Sequence, residues 1–353
     1  MTRPLLLLFA LYCGIDRLVA QSLPTLAPEQ HIPVMVPGSA GSTAVWIGDS
    51  ILALADVEEQ RVMLIDVVTG RTRAVGRPGE GPGEFRGVNS PLRAPDGSLL
   101  VVDSRLRRAT ILTAELAVRR VVGLPVVISN LLRWDGTVLI CTWYDFSRQM
   151  TPVLGRLRIT ADDRAEPEPI VRLDSLFGMI KRDPFSLPPI VVATPGARGH
   201  WYLAKVDEYR ILKLSPQRRV VRWYQRRDVP VRRFSAQEID AEAGRIRAAG
   251  AAPVPPAAAA RARQMLDGLV KPFFTINGLS EDPHGRLWVV SARQENGQTE
   301  VDVFSAAGSF LGTVRLRGHV RSLAWNGNRV AAVVERGEGE ERLGSVDIYR
   351  LGR

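Results

Sequence analysis

The residues whose types and spacing could do chemistry are a set of side-chain amides and one imidazole. Eight residues before a recurring turn position (Ser50, Gly97, Gly136, Gly199, Gly285, Gly327) stand Ser42, Asn89, Ile128, Val191, Asn277 and His319. Asn130 lies two places beyond Ile128, so on the same face of an extended strand. Ser42, Asn89, Asn130, Asn277 and His319 would then form one polar ring, with an apolar gap at Val191. Such groups can hold a water, a metal or a polar substrate. Calcium sites normally use carboxylates to offset the cation's lost hydration, and this register contains none. Zinc favours several His or Cys ligands, whereas His31, His200, His284 and His319 are widely separated. No metal or cofactor is therefore expected; the alternative is one divalent metal held by His319, Asn89 and Asn277.

Other motifs exclude more than they assign. The glycine-rich loop from Gly76 to Arg86 lacks the Gly-Lys-Ser/Thr ending of a phosphate-binding loop and leads into a strand rather than a helix. It reads as a connection in which Phe85 packs inward while Glu84 and Arg86 sit near a ligand-facing rim. Trp143-Tyr144-Asp145-Phe146 is the densest aromatic cluster, and Tyr144 is its candidate for stacking on a sugar or peptide. No Gly-x-Ser-x-Gly elbow occurs, and no pair of acids is spaced to nominate a glycosidase, so no catalytic residue is assigned.

The elements that must position these residues are hairpins. Asp49-Ser50, Asp96-Gly97, Asp135-Gly136, Gly199, His284-Gly285 and Asn326-Gly327 each precede a β-rich run such as Leu99-Leu100-Val101-Val102. Turn residues that tolerate positive φ before such runs are hairpin signals. Most units continue into a third strand (Arg61 to Asp66, Arg210 to Leu214, Val301 to Phe304) and several into a fourth (Val220 to Trp223, Phe310 to Val314). Four antiparallel strands recurring about every 40–50 residues make β-propeller blades. The expected fold class is all-β, a six-bladed β-propeller spanning residues 21–353, its innermost strands carrying the polar ring around a central channel. The last unit ends after three strands, so His31 to Val36 is expected to supply its missing outer strand. One interruption, residues 235–270 between blades 4 and 5, begins with the capping box Ser235-Ala-Gln-Glu238 and predicts a helical insertion.

The segments Gly79-Glu-Gly-Pro-Gly-Glu-Phe85, Asp96-Gly97 with Val101-Val102-Asp103, and Gly285-Arg-Leu-Trp-Val289 resemble the NHL-repeat, TolB-like group of six-bladed propellers. Thr142 in the third unit and Ser291 in the fifth depart from the Asp103 position of the second. The resemblance implies a ring of blades with ligands or partners at one face. The group includes binding modules as well as lyases and lactonases, so the fold does not choose between them.

Residues 1–20 read as a signal peptide: Arg3, an apolar stretch from Leu5 to Ile15, then Val19-Ala20 as a small-residue cleavage point. Secretion or periplasmic location follows, with no stable membrane span after cleavage. Cys141 would then be the only cysteine, excluding an intramolecular disulfide. The formal charge of +10 arises from 47 basic against 37 acidic residues in a chain of 353. The basic residues are nearly all arginine and scattered, without the interleaved aromatics of a nucleic-acid surface. The sequence thus reads as a non-catalytic binding or scaffold module for a protein, peptide or carbohydrate, not a nucleic acid. The candidate ligand residues are Glu84, Arg86, Asn89, Asn130, Tyr144, Asn277 and His319. The alternative is a metal-assisted hydrolase or lyase, similar to gluconolactonases, working in the channel.

Overall fold

The computed structural model describes residues 22–34, 43–148, 151–177, 191–240, 260, 263–264, 267–336 and 343–351. The signal peptide, Ser42 and most of the 235–270 insertion lie outside these residues.

Two strands come first, β1 (Ser22–Thr25) and β2 (Gln30–Val34). The first four-stranded sheet is β3 (Ala44–Trp46), β4 (Ile51–Asp56), β5 (Arg61–Asp66) and β6 (Thr72–Val75). A short parallel pair, β7 (Arg77–Pro78) and β8 (Glu84–Phe85), links it to the second sheet of β9 (Leu92–Arg93), β10 (Leu99–Asp103), β11 (Arg108–Leu112) and β12 (Val118–Gly123). The third is β13 (Ile128–Trp134), β14 (Val138–Asp145), β15 (Thr151–Ile159) and β16 (Ala165–Arg172), followed by the short helix α1 (Leu173–Phe177). The fourth is β17 (Val191–Pro195), β18 (Trp201–Lys205), β19 (Arg210–Leu214) and β20 (Val220–Gln225).

The remaining strands are β21 (Phe274–Glu281), β22 (Leu287–Glu295), β23 (Gln298–Phe304), β24 (Phe310–Arg317), β25 (His319–Asn326), β26 (Arg329–Arg336) and β27 (Leu343–Arg350). Together with β1 and β2 they form one nine-stranded sheet, ordered β1-β24-β23-β22-β21-β25-β26-β27-β2. Two antiparallel meanders meet there at a single parallel bridge, Asn277 to Ser322. Among the described residues the chain is all-β with very little helix, and its sheets adopt a propeller-like arrangement.

Burial explains that arrangement. The second strand of each unit is a continuous apolar run because it is covered on both faces: all of Leu99 to Asp103 is buried. Outer strands such as β6 and β20 are largely exposed. Apolar clusters lie between successive sheets. Phe85, Leu64, Ala55, Leu99 and Val101 join the first to the second, and Val102, Ile111, Trp134 and Cys141 join the second to the third. A fully buried side chain of this kind stabilises by about 1.5–3 kcal/mol. The first strands of the units neighbour one another in a circuit, β3 beside β9, then β13, β17, β21 and β25, which returns to β3. β2 pairs antiparallel with β27, and its Ile32 and Val34 pack with Val346, Ile348, Trp46 and Leu52. The N-terminal and C-terminal strands are therefore sealed together.

The hairpin aspartates hold the turns. Asp96 Oδ1 accepts the N–H and the hydroxyl of Ser98 at 2.9 and 2.6 Å. Asp282 Oδ1 accepts the N–H groups of His284 and Arg286, each at 2.9 Å. Gly97 sits at φ +86°, the left-handed region a glycine enters freely. In the insertion, residues 236–240 are helical, and the Ser235 and Glu238 side chains cap them reciprocally at 2.9 and 3.3 Å. Among the described residues no helix is long and apolar enough to cross a membrane.

Candidate functional site

A cavity of about 220 Å³ lies where the first strands of the units converge. Thr43 comes from the edge of β3, Asn89 and Ser90 from the approach to β9, Ser129 and Asn130 from β13, and Asn277 from β21. Strands of several different sheets meet only around the axis, so this cavity is the hub. Ile128, Leu131 and Ile276 complete its wall.

Three of the sequence candidates, Asn89, Asn130 and Asn277, meet here. They occupy one structural position. Each stands four residues before the residue that closes its hairpin ladder, in the pairs Arg93–Leu99, Trp134–Leu139 and Glu281–Leu287. Val191 holds that position before Pro195–Trp201, and Ser322 before Asn326–Arg329. His319 begins β25 outside the cavity wall, because the last hairpin turns in two residues, Gly327 and Asn328, where the fifth takes residues 282–286. Counting from the glycine therefore overshoots in the last unit. Ser322, bridged to Asn277, is the residue the strand ends would have identified.

The hub is polar, neutral and only partly satisfied. Asn89 Nδ2 reaches the Gly87 carbonyl at a long 3.5 Å. Asn130 makes no side-chain hydrogen bond among the described residues, leaving two donors and an acceptor directed at whatever enters. The hydroxyls are tied to the scaffold instead: Ser90 Oγ accepts the Thr43 N–H at 2.7 Å, and Ser129 shares a 2.7 Å hydrogen bond with Thr142. Among the described residues no carboxylate or imidazole lines this wall. Asp145 accepts Ser147 in a local turn at 2.6 Å, and Asp207 pairs with Lys205 at 3.3 Å. A donor set of neutral amides and hydroxyls does not fit a divalent cation, which needs its charge offset. Among the described residues no cluster of His, Cys, Asp and Glu is placed to hold a metal ion.

Glu84, Arg86 and Tyr144 stand elsewhere. Phe85 is fully buried between the first two sheets, and the loop beside it closes on itself against the outer strand β12. Arg108 donates to the carbonyls of Glu80, Gly81 and Glu84 at 2.5, 2.7 and 2.9 Å. Glu84 accepts the Gly81 N–H at 2.8 Å and pairs with Arg77 at 2.7 Å. The Gly81 N–H, and then Arg77, hold its carboxyl below the ordinary glutamate range. Arg86 pairs with Glu80 at 2.9 Å, and its N–H meets the buried Asp103 at 2.6 Å. Both side chains thus serve the loop rather than the hub. Tyr144 is half-buried in β14 opposite Pro152, while Trp143 packs in the core beneath Gly155. Cys141 is a free, buried thiol whose pKa burial pushes up, so it is not poised as a nucleophile.

No protein-family model matches the sequence, and no curated protein does either. Solved structures share the fold. A member of the DUF4221 family from Bacteroides vulgatus is 10% identical, with 93% of this chain and 98% of that one covered at a TM-score of 0.56. A protein of unknown function from Bacteroides thetaiotaomicron is 11% identical, with 91% and 76% covered at 0.50. The calcium-binding protein regucalcin from Agrobacterium tumefaciens is 12% identical, with 95% and 98% covered at a TM-score of 0.46. These neighbours are β-propeller proteins, and at such identity the likeness shows the fold alone.

Proposed function

We propose that the chain is an exported, six-bladed β-propeller binding module without catalytic activity. Its hub would take a neutral, hydroxyl- or amide-rich group presented by a protein, peptide or carbohydrate. The circuit of first strands and the two meanders of the nine-stranded sheet support a count of six. The N-terminal apolar stretch supports export. One observation carries the ligand class: asparagines recur at the same inner position in three units, and the Asn130 amide is uncommitted within the fold. An amide offers donors and an acceptor together, which suits hydroxyls and peptide groups and gives no advantage to an ion. Arg108 and Arg226 are engaged by carbonyls and carboxylates of the chain itself, so these two are not available to a nucleic acid.

The metal-assisted hydrolase or lyase reading lacks support from the donor set described above. The test is capture on a glycan microarray and from a random peptide library, comparing the full chain with Asn130→Ala and with Asn89→Ala/Asn277→Ala. Ligands held by the parent should bind at least about tenfold more weakly to both variants, the scale of about 1.4 kcal/mol for a lost polar contact. Ligands retained equally by all three proteins would move the site away from the hub.

A further inference from the structure

On the outer rim between the first and second sheets lies a groove of about 330 Å³ that shares no lining residue with the hub. Val75 of β6 forms one wall, Leu112, Leu116 and Val118 of the second sheet form the other, and Phe85 with Pro82 closes the base. Glu84 and Arg77 also border it but are paired with each other. The groove therefore offers apolar surface and a strand edge rather than idle polar groups. β6 is the open edge of its sheet, and Val118 is 42% exposed.

Two observations point to an occupant. Leu116 sits at φ +72°, a left-handed conformation that costs a leucine energy. The same place in the turns of other sheets holds Gly70, Asp163, Arg218 and Gly308, so the turn itself does not call for an aliphatic side chain. The second observation is that the chain fills the equivalent place in another unit. β1 adds parallel to the outer strand β24, through Ser22–Thr313 and Thr25–Arg315, and the Leu26 N–H donates to the Arg315 carbonyl at 3.1 Å. Leu26 packs there against the cluster that holds Val314 and Tyr349. The ladders make the two places correspond: Val75 pairs with Val62 as Val314 does with Val301, and Leu112 with Leu99 as Tyr349 does with Val330. Among the described residues β6 has no such added strand.

We propose that this groove docks an extended peptide of a partner protein, which runs parallel to β6 as a fifth strand and seats one aliphatic side chain against Val75, Leu116 and Val118. The strand edge supplies main-chain hydrogen bonds, and the apolar walls select the anchor. Charge adds a second requirement. Arg73 stands two residues before Val75, so on the same face of β6; it is exposed and has no ion pair among the described residues. The peptide therefore carries an acid ahead of its aliphatic anchor. In the β1 register Ser22 lies opposite Thr313, the counterpart of Ala74, so the residue before Ser22 is the one that would meet Arg73.

The probe is a fluorescein-labelled peptide of residues 21–28 of this chain carrying Gln21→Asp, titrated with the full chain and read by fluorescence anisotropy. It is expected to bind saturably. Adding Leu26→Ala to the peptide should weaken binding at least about tenfold, the scale of one buried aliphatic side chain. Keeping Gln21 in the peptide, or making Arg73→Glu in the chain, should weaken it about threefold. On the groove side, Val118→Asp alters an exposed position, so the chain should melt with the parent yet bind at least about tenfold more weakly. Leu116→Asn keeps a residue that tolerates the left-handed turn and should bind about fivefold more weakly. The proposal is overturned by no saturable binding up to about 1 mM, or by equal binding of the Leu26→Ala peptide. It is also overturned if Val118→Asp and Leu116→Asn bind like the parent, since the peptide would then sit on another edge.

Discussion

At the hub, the Asn130 side chain has no hydrogen-bond partner among the described residues and the Asn89 amide only a 3.5 Å one. In the loop from Gly76 to Arg86, almost every polar group has a short, charge-assisted partner: Glu84 with Gly81 and Arg77, Arg86 with Glu80, and three carbonyls with Arg108. Both regions hold residue types that bind ligands. They differ in whether those groups are already satisfied, and satisfaction separates a strut from a site better than residue type does. A loop that satisfies itself has little left to offer a ligand, whereas an amide held on a rigid strand and left open keeps its capacity.

The sharpest way to break this contrast is to damage the strut and ask whether the hub survives. Phe85→Ala should destabilise the chain by about 3–5 kcal/mol, the usual cost of emptying a buried aromatic site. The loss is read as a lower denaturation midpoint with an unchanged denaturant slope. Ligand capture by the fraction that stays folded should be unaltered; weaker capture by that fraction would mean the loop and the hub form one site. Arg108→Ala comes next. It strips donors from three carbonyls and should cost about 1.5–3 kcal/mol. Arg108→Lys should recover only part of this, because an ammonium cannot span three acceptors as a planar fork does.

How much of this contrast the sequence displays depends on what each feature requires. Hairpins are visible because their turn residues and apolar runs are local: Asp96-Gly97 before Leu99 needs no tertiary knowledge. The closing strand is visible because an incomplete last unit leaves an apolar segment, Ile32 with Val34, without another place to go. Half of the hub register is visible for the same reason. Asn89 and Asn277 precede turns of equal length, while the shorter turns after Trp134 and Asn326 displace the count onto Ile128 and His319. Counting from strand ends, with Trp134 and Asn326 as markers, reaches Asn130 directly rather than two places beyond Ile128, and replaces His319 by Ser322. The satisfaction of Glu84 and Arg86 is not visible at all. Their side chains meet Gly81, Arg77 and Glu80 of the same loop, but the loop path that brings these together is held by Arg108 and Asp103 of the next sheet, through the Glu84 carbonyl and the Arg86 N–H, and only packing determines it.

The converse experiment alters the hub alone. Asn130→Ala removes an amide that the fold does not use, so stability should move by no more than about 0.5 kcal/mol. Binding of any hub ligand should nevertheless fall at least about tenfold. Thermal melts and affinity measured on the same preparation decide it. A large stability loss would show that the amide supports the scaffold, and the contrast with the loop would disappear.

The smallest expected effect concerns pH. The Glu84 carboxyl titrates below its ordinary value of 4.5 because the Gly81 N–H, and then Arg77, favour its charged form. A depressed folded-state pKa contributes stability that is complete above the unfolded value and is lost as pH falls through the folded one. The loop's contribution should therefore be constant at neutral pH and decline only below about 4.5. Solvent around Glu84 screens the interaction, so the change is slight. Glu84→Gln should melt a little below the parent at pH 7 and converge with it at pH 3. Asn130→Ala should instead track the parent across that range, since an amide does not titrate. Parallel curves for the parent and Glu84→Gln would show that the Glu84 charge does not hold the loop, leaving Arg108 to account for its closure.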